Sequence, residues 1–196
     1  MTPSKVTAVL ALAGAAFAAG CAGHSMKRVN PSADDDVGGT GIDSADVIAS
    51  TDKAAGELTQ ALLAFPKNDL VVAPSTIKNE SSQPFNTGML TDRMIDHLVK
   101  GCGALVRFLA REHIDEVMKE RDAKRQGVYS PTEQKALLGA DYLLTGRITS
   151  LSKRADGDRA DYFVLSYRLV DAESGVIAWT NQYEFKKVGD AGVIYQ

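Results

Sequence analysis

An α+β fold is what this 196-residue sequence predicts: a central mixed sheet of four to five strands, flanked by helices and ending in an antiparallel meander. Three observations carry that expectation. The C-terminal third alternates apolar and polar residues at period two, as half-buried strands do. Two earlier stretches repeat apolar residues at steps of three and four, which is helical spacing. Between them lies a short, fully apolar run bounded by Asp69 and Pro74, the pattern of a buried strand.

Taken in order, the chain opens with Lys5 and a fifteen-residue apolar run, Val6 to Gly20, which closes on Ala18, Ala19 and Gly20. Such a layout is that of a secretory signal, and the run is too short and too rich in Ala and Gly for a permanent span. Its small-small-Cys ending resembles the lipobox of bacterial lipoproteins, with Ala18 where leucine is usual. That resemblance implies cleavage before Cys21 and lipidation of its thiol, with Ala22 rather than aspartate in the next position pointing to the outer membrane. Residues 1–20 carry one lysine and no acid, so their removal takes the formal net charge from −3 to −4. A mildly acidic chain without a basic stripe is a poor candidate for nucleic acid.

Residues 21–44 are rich in Gly, Ser, Asp and Asn and bury too little apolar surface to offset the entropy of ordering, so they read as a flexible tether. The triplet Asp34 to Asp36 reads as a solvated charge run. The globular domain is expected over 45–196. Its first helix places Ile48, Thr51, Ala55, Leu58, Leu62 and Phe65 on one face and ends at Pro66. The strand "DLVVAPST" and a polar loop, "NESSQPFNT", follow. Thr87 is expected to cap a second helix whose Leu90, Met94 and Leu98 recur every four residues, and glycine stops it in "KGCG". Cys102, at the end of that helix, reads as a buried, inert thiol. "ALVRFLA" is the next strand.

The helix "REHIDEVMKERDAKR" has only Ile114, Val117 and Met118 as an apolar stripe, so most of its surface faces water or a polar partner. In "SPTE", Ser130 as N-cap, Pro131 and Glu133 predict a short helix ending at Gly139. "DYLLTGRITSLS", "DYFVLSYRLVD" and "VIAWTNQYEFKK" are the three strands of the meander, the last two joined by the turn "DAESG". Trp179, Tyr183 and Phe185 fall on its inner face and are assigned to core.

Catalytic and metal chemistry find no support. "STIK" (Ser75 to Lys78) and "SLSK" (Ser150 to Lys153) match the S-x-x-K nucleophile motif, but on strands positions i and i+3 point to opposite faces, and the companion S-D-N and K-T-G elements are missing. His24, His97 and His113 lie on separate segments without ligand spacing, and "GGTG" lacks the flanking strand and lysine of a phosphate loop. No metal and no cofactor is expected. The residues alone describe a tethered binding domain.

The order "GIDSADV", "NESSQPFNTGMLTDRM", "GADYLLTGRITS" and "LVDAESGVIAWTNQYEFKK" resembles the LpoB family of penicillin-binding-protein activators, from Gly41 to Lys187. The resemblance implies an outer-membrane lipoprotein facing the periplasm, which docks on a bifunctional class A penicillin-binding protein and stimulates peptidoglycan synthesis. It also implies a fold like the N-terminal domain of TolB. Asn79, Thr87, Leu90 and Thr91 match the family's N-x-T and D-T-x-x-L-T region, with Ser81 and Asn86 as departures, and Ala110 stands where the family has aspartate. The contact is expected on the loop from Asn79 to Thr87, with Phe85 and Asn86, and on the charged helix at Arg111 and Arg125. A monomer is expected. Two other readings remain at this point: a secretion-associated lipoprotein related to CsgG, and a periplasmic domain that binds a small molecule.

Overall fold

The structure, a computed structural model, describes residues 28–33, 39–67, 69–130 and 135–190. The leader, Cys21, His24, the Asp34 to Asp36 triplet and Pro131 to Glu133 lie outside the described residues. The folded unit begins at Pro31. Among the described residues no helix is long and apolar enough to cross a membrane.

Among the described residues the unit has three α-helices and six strands: α1 (Ser44–Leu63), β1 (Leu70–Pro74), β2 (Lys78–Glu80), α2 (Gly88–Cys102), β3 (Val106–Phe108), α3 (Ile114–Arg125), β4 (Tyr142–Ala155), β5 (Asp158–Asp171) and β6 (Ile177–Asp190). The sheet runs β3-β1-β4-β5-β6. β3 and β4 flank β1 in parallel, while β4, β5 and β6 form the antiparallel meander. β2 is an addition to the four or five strands expected. After Pro74 the chain steps sideways and then rejoins β4 in parallel further along, pairing Lys78 with Arg147 and Glu80 with Thr149.

α1 starts with a capping box: the Asp43 carboxylate accepts from Asp46 N, and Asp46 reciprocates to Asp43 N. Its buried face is Ser50, Thr51, Ala54, Ala55, Leu58 and Leu62, rotated from the expected stripe so that Ile48 is only half-buried. The hydroxyls of Ser50 and Thr51 donate to the Val47 carbonyl, which lets two polar residues be buried without an orphaned donor. In α2, Leu90, Met94, Leu98 and Cys102 form the inner face as predicted. Thr87 makes no side-chain cap; Asn86 does that work, accepting from Gly88 N at 2.9 Å. The core joins these two helices to Leu144, Ile148, Phe163, Leu165, Tyr167 and Leu169 of the sheet. Trp179, Tyr183 and Phe185 pack against it half-buried, with Phe185 stacked on its cross-strand partner Phe163 at 5.1 Å between ring centroids.

Two expectations are corrected. Only Val106–Phe108 of "ALVRFLA" is strand, because Gly103–Leu105 forms a 3-10 turn led by Gly103 at φ 56°. No helix forms over the described residues 135–139; Leu137 and Leu138 remain exposed, and a short helix without a face to bury lacks its main source of stability. Thr40, in the segment read as tether, is buried and donates to the fully buried Asp161.

Parallel crossovers are right-handed. Moving outward from β1 to β3 through α2 over one face therefore sends the return from β3 to β4 across the other, where Val71 and Ala73 are also buried. Beyond that return, the same face of β4, β5 and β6 stays open.

Candidate protein-contact site

The loop from Asn79 to Thr87 is built by its own side chains. Asn79 Nδ2 donates to the Gln83 carbonyl at 2.8 Å, and its Oδ1 accepts from Ser81 N at 3.0 Å and Ser81 Oγ at 2.6 Å. Gln83 Oε1 accepts from Ile42 N at 3.1 Å, and Ser82 N donates to Ser150 Oγ at 2.9 Å, so the loop is tied both to the entry of α1 and to β4. Asn79 thus spends its amide on the turn, and Thr87 is buried beneath α2. Asn86 is exposed. Phe85 leans on the core and, with Ile42, Val47 and Met89, lines an open, mostly apolar depression of about 370 Å³. Met89 is 55% exposed there, an apolar residue on α2 that the helical pattern assigned to no inner position.

The charged helix stands apart from this loop. α3 buries none of its residues, and Val117 and Met118 are exposed. Arg111 donates to the Leu138 carbonyl at 3.0 Å and Arg121 to that of Lys135 at 2.7 Å, so two arginines hold the return segment by its backbone. Arg125 pairs with Asp122 at 3.6 Å, both about half exposed, an arrangement worth little in water. Of the six predicted contact residues, Asn79, Asn86, Arg111 and Arg125 are exposed, although Asn79 and Arg111 also spend hydrogen bonds on the fold, whereas Phe85 is half-buried and Thr87 buried.

Electrostatics concentrate where the chain enters the domain. Burial pushes Asp161 upward, but hydrogen bonds from Ser152 and Thr40 and the ion pair with Arg159, whose Nε lies 2.8 Å away, outweigh it and hold the carboxyl below its usual range. Lys187 bridges Asp43 and Asp46. Burial dominates at Asp46, whose pKa is raised, whereas Asp43 is held down by Lys187 and the Asp46 backbone despite its own burial. Each of these charges is neutralised within the fold, which marks the cluster as structural.

No reacting constellation is assembled around the S-x-x-K serines. Ser75 Oγ donates to the Leu144 carbonyl at 3.1 Å, and Ser150 Oγ caps Ser82 N. His97 sits 3.4 Å from Asp52, a carboxylate already gripped by Arg93 Nε and Nη2. Among the described residues no three His, Cys, Asp or Glu side chains converge as a metal would need.

The family model of the peptidoglycan-synthase activator LpoB matches residues 49–185, from the first turns of α1 to the inner aromatic Phe185 of β6. The chain belongs to the LpoB family. As an LpoB-family protein it is a non-enzymatic activator of a peptidoglycan synthase, acting in cell-wall synthesis. No curated protein matches the sequence. Among solved structures, the chain is similar to the LpoB C-terminal domain of Salmonella enterica, at 15% identity and a TM-score of 0.45, over 71% of this chain and 98% of that one. The LpoB C-terminal domain of Escherichia coli gives 15% and 0.41, over 67% and 93%. The lipoprotein GNA1162 of Neisseria meningitidis gives 17% and 0.39, over 61% and 83%. These likenesses are distant, and the LpoB assignment rests on the family model.

Proposed function

We propose that the chain is a lipid-anchored activator, held by Cys21 in the outer membrane and facing the periplasm, where it binds a bifunctional class A penicillin-binding protein as a monomer. The observation that supports this most is the family match over residues 49–185, joined to a leader and small-small-Cys sequence of lipoprotein type. A binding protein stimulates an enzyme only by preferring its active conformation, and a tenfold population shift needs about 1.4 kcal/mol of that preference. Contacts through the exposed side of the Asn79 to Thr87 loop and through Arg125 on α3 supply it, on a scaffold fixed by Asn79, Phe85, Thr87 and Arg111.

The tether sets the geometry of the encounter. About 19 residues separate Cys21 from Thr40, which is buried in the fold, and they reach at most roughly 63 to 68 Å when fully extended, while a flexible coil of that length averages only about 22 to 26 Å. Docking on a synthase in the opposite membrane therefore requires a partner that projects outward. Purification of the tagged chain from detergent-solubilised membranes tests the whole reading. A class A synthase is expected to co-purify, and the intact mass is expected to be that of a chain starting at Cys21 with attached acyl groups. An unmodified chain in the soluble fraction, without a synthase, contradicts it.

A further inference from the structure

The open face of the meander carries a concentration of positive charge that the fold itself does not use. Lys78 on β2 lies in register with Arg147 on β4, Arg147 lies opposite Ser166 on β5, and Thr145 lies opposite Arg168. Three cations from three strands thus surround two hydroxyls, and with Ser75 and one acid, Glu80, they wall a groove of about 280 Å³ left by the sideways step after Pro74. Like charges in direct register destabilise a sheet. The chain has a net charge of −3, so the cluster does not follow from an excess of basic residues.

Compensation within the fold is slight. Arg147 has one acid, Glu80, at 3.8 Å with both side chains about half exposed. Lys78 and Arg168 make no ion pair among the described residues, and both are exposed. Toward β6, the partner of Arg168 is Thr180, whose hydroxyl donates to the Tyr167 carbonyl, and the acid further along, Glu184, is taken by the Tyr162 hydroxyl at 2.7 Å. Ser166 Oγ accepts from Gln182 at 3.3 Å, leaving its own hydrogen available to the groove.

We propose that this groove receives the carboxylates of an acidic surface segment of the peptidoglycan synthase. The assignment rests on the reading of the chain as a synthase activator and adds a contact at the β2 end of the loop, carried by residues other than the six predicted ones. Arginine forks take carboxylates in pairs of parallel hydrogen bonds, and lysine and the two hydroxyls supply the remaining donors. An open, polar groove does not enclose a small molecule as ligand cavities do. Exposed charge of one sign instead steers and orients a protein partner of opposite sign.

The test measures binding of the full chain to a purified, detergent-solubilised class A synthase at about 0.05 to 0.5 M salt, a range over which screening collapses exposed charge interactions. Lys78→Glu and Arg168→Glu alter exposed side chains and are expected to melt within about 2 °C of wild type while binding about tenfold or more weakly at low salt, mainly through slower association. Their affinity should also depend less on salt, and Lys53→Glu, on α1, should bind like wild type. Variants that match wild type within about twofold at low salt overturn the groove assignment alone. A wild-type chain that binds no class A synthase overturns the activator reading with it. Loss of inorganic-phosphate shifts at the Thr145 and Ser166 amides without loss of synthase binding gives the groove to a small anion and also overturns the proposal.

Discussion

Gly146→Ala is predicted to destabilise the domain, and the reason lies in the step between β1 and β2. A Cβ at Gly146 would stand 2.9 Å from Ile77 Cγ1, 3.3 Å from Tyr167 Cδ1 and 3.4 Å from the Ser166 carbonyl oxygen. Carbon pairs are most favourable at about 3.5 to 4.0 Å, so the first contact overlaps by about 0.6 Å or more. Neither neighbour gives way easily: Ile77 is 5% exposed and Tyr167 2%, and Ile77 N is held by Thr91 Oγ1 at 3.2 Å. Overpacking of this kind costs about 1 to 3 kcal/mol, of which removing a strand glycine returns about 0.5 to 1 kcal/mol. A net loss on the order of 1 to 2 kcal/mol lowers the melting temperature by about 3 to 6 °C for a domain of this size, measurable by circular dichroism. The double-mutant cycle decides the cause. In an Ile77→Ala background the 2.9 Å contact is gone and only the closer-than-usual approaches to Tyr167 and Ser166 remain, so Gly146→Ala should cost less there, a coupling of about 1 kcal/mol or more. An equal cost in both backgrounds, or no cost in the wild type, refutes the reasoning.

Asp161→Asn is expected to cost about 2 kcal/mol or more at neutral pH in urea denaturation, because Arg159 loses its anion inside the fold. Asp161 and Asp141 both sit below the usual carboxylate range, the latter through hydrogen bonds from Lys67 and the Val71 amide. Their stabilisation is therefore present above about pH 4 and lost as pH falls through their folded values, so the wild type should weaken in that window more steeply than Asp161→Asn. Equal acid slopes contradict this. Cys102 is 3% exposed and its thiol is pushed up by burial, so a Cys21→Ser chain should resist a thiol reagent at neutral pH until unfolded. Reaction of the native chain at the rate of a free thiol contradicts that placement.

The elements most legible in the sequence were those whose pattern repeats locally. Period-two alternation in β5 sets Phe163, Leu165, Tyr167 and Leu169 on the inner face, and the four-residue spacing of Leu90, Met94 and Leu98 does the same for α2. β2 left no such trace, since Lys78, Asn79 and Glu80 are all exposed and their strand geometry comes only from pairing with β4. Thr40 and Asp161 meet across 121 positions, a contact that no local window contains. The β4–β5 turn had a signal that went unread: Asp156 and Gly157 both take positive φ, as an Asp-Gly hairpin turn requires. For the contact site, the residue types of the loop were legible but their duties were not. An asparagine that staples its own turn and one that meets a partner look alike until Asn79 is seen bonded to Ser81 and Gln83. The basic groove was hidden for a related reason, since Lys78, Arg147 and Arg168 are far apart in sequence and only strand register brings them together.

This domain is a non-enzymatic activator, and the claim specific to it is that binding alone raises a synthase's output. The rate of glycan polymerisation and crosslinking by a purified class A synthase, with and without the folded chain at saturating concentration, measures that claim directly. A severalfold higher rate is expected with the chain present, and no conversion of lipid-linked precursor by the chain alone. An unchanged synthase rate despite demonstrated binding, or turnover by the isolated chain, contradicts it.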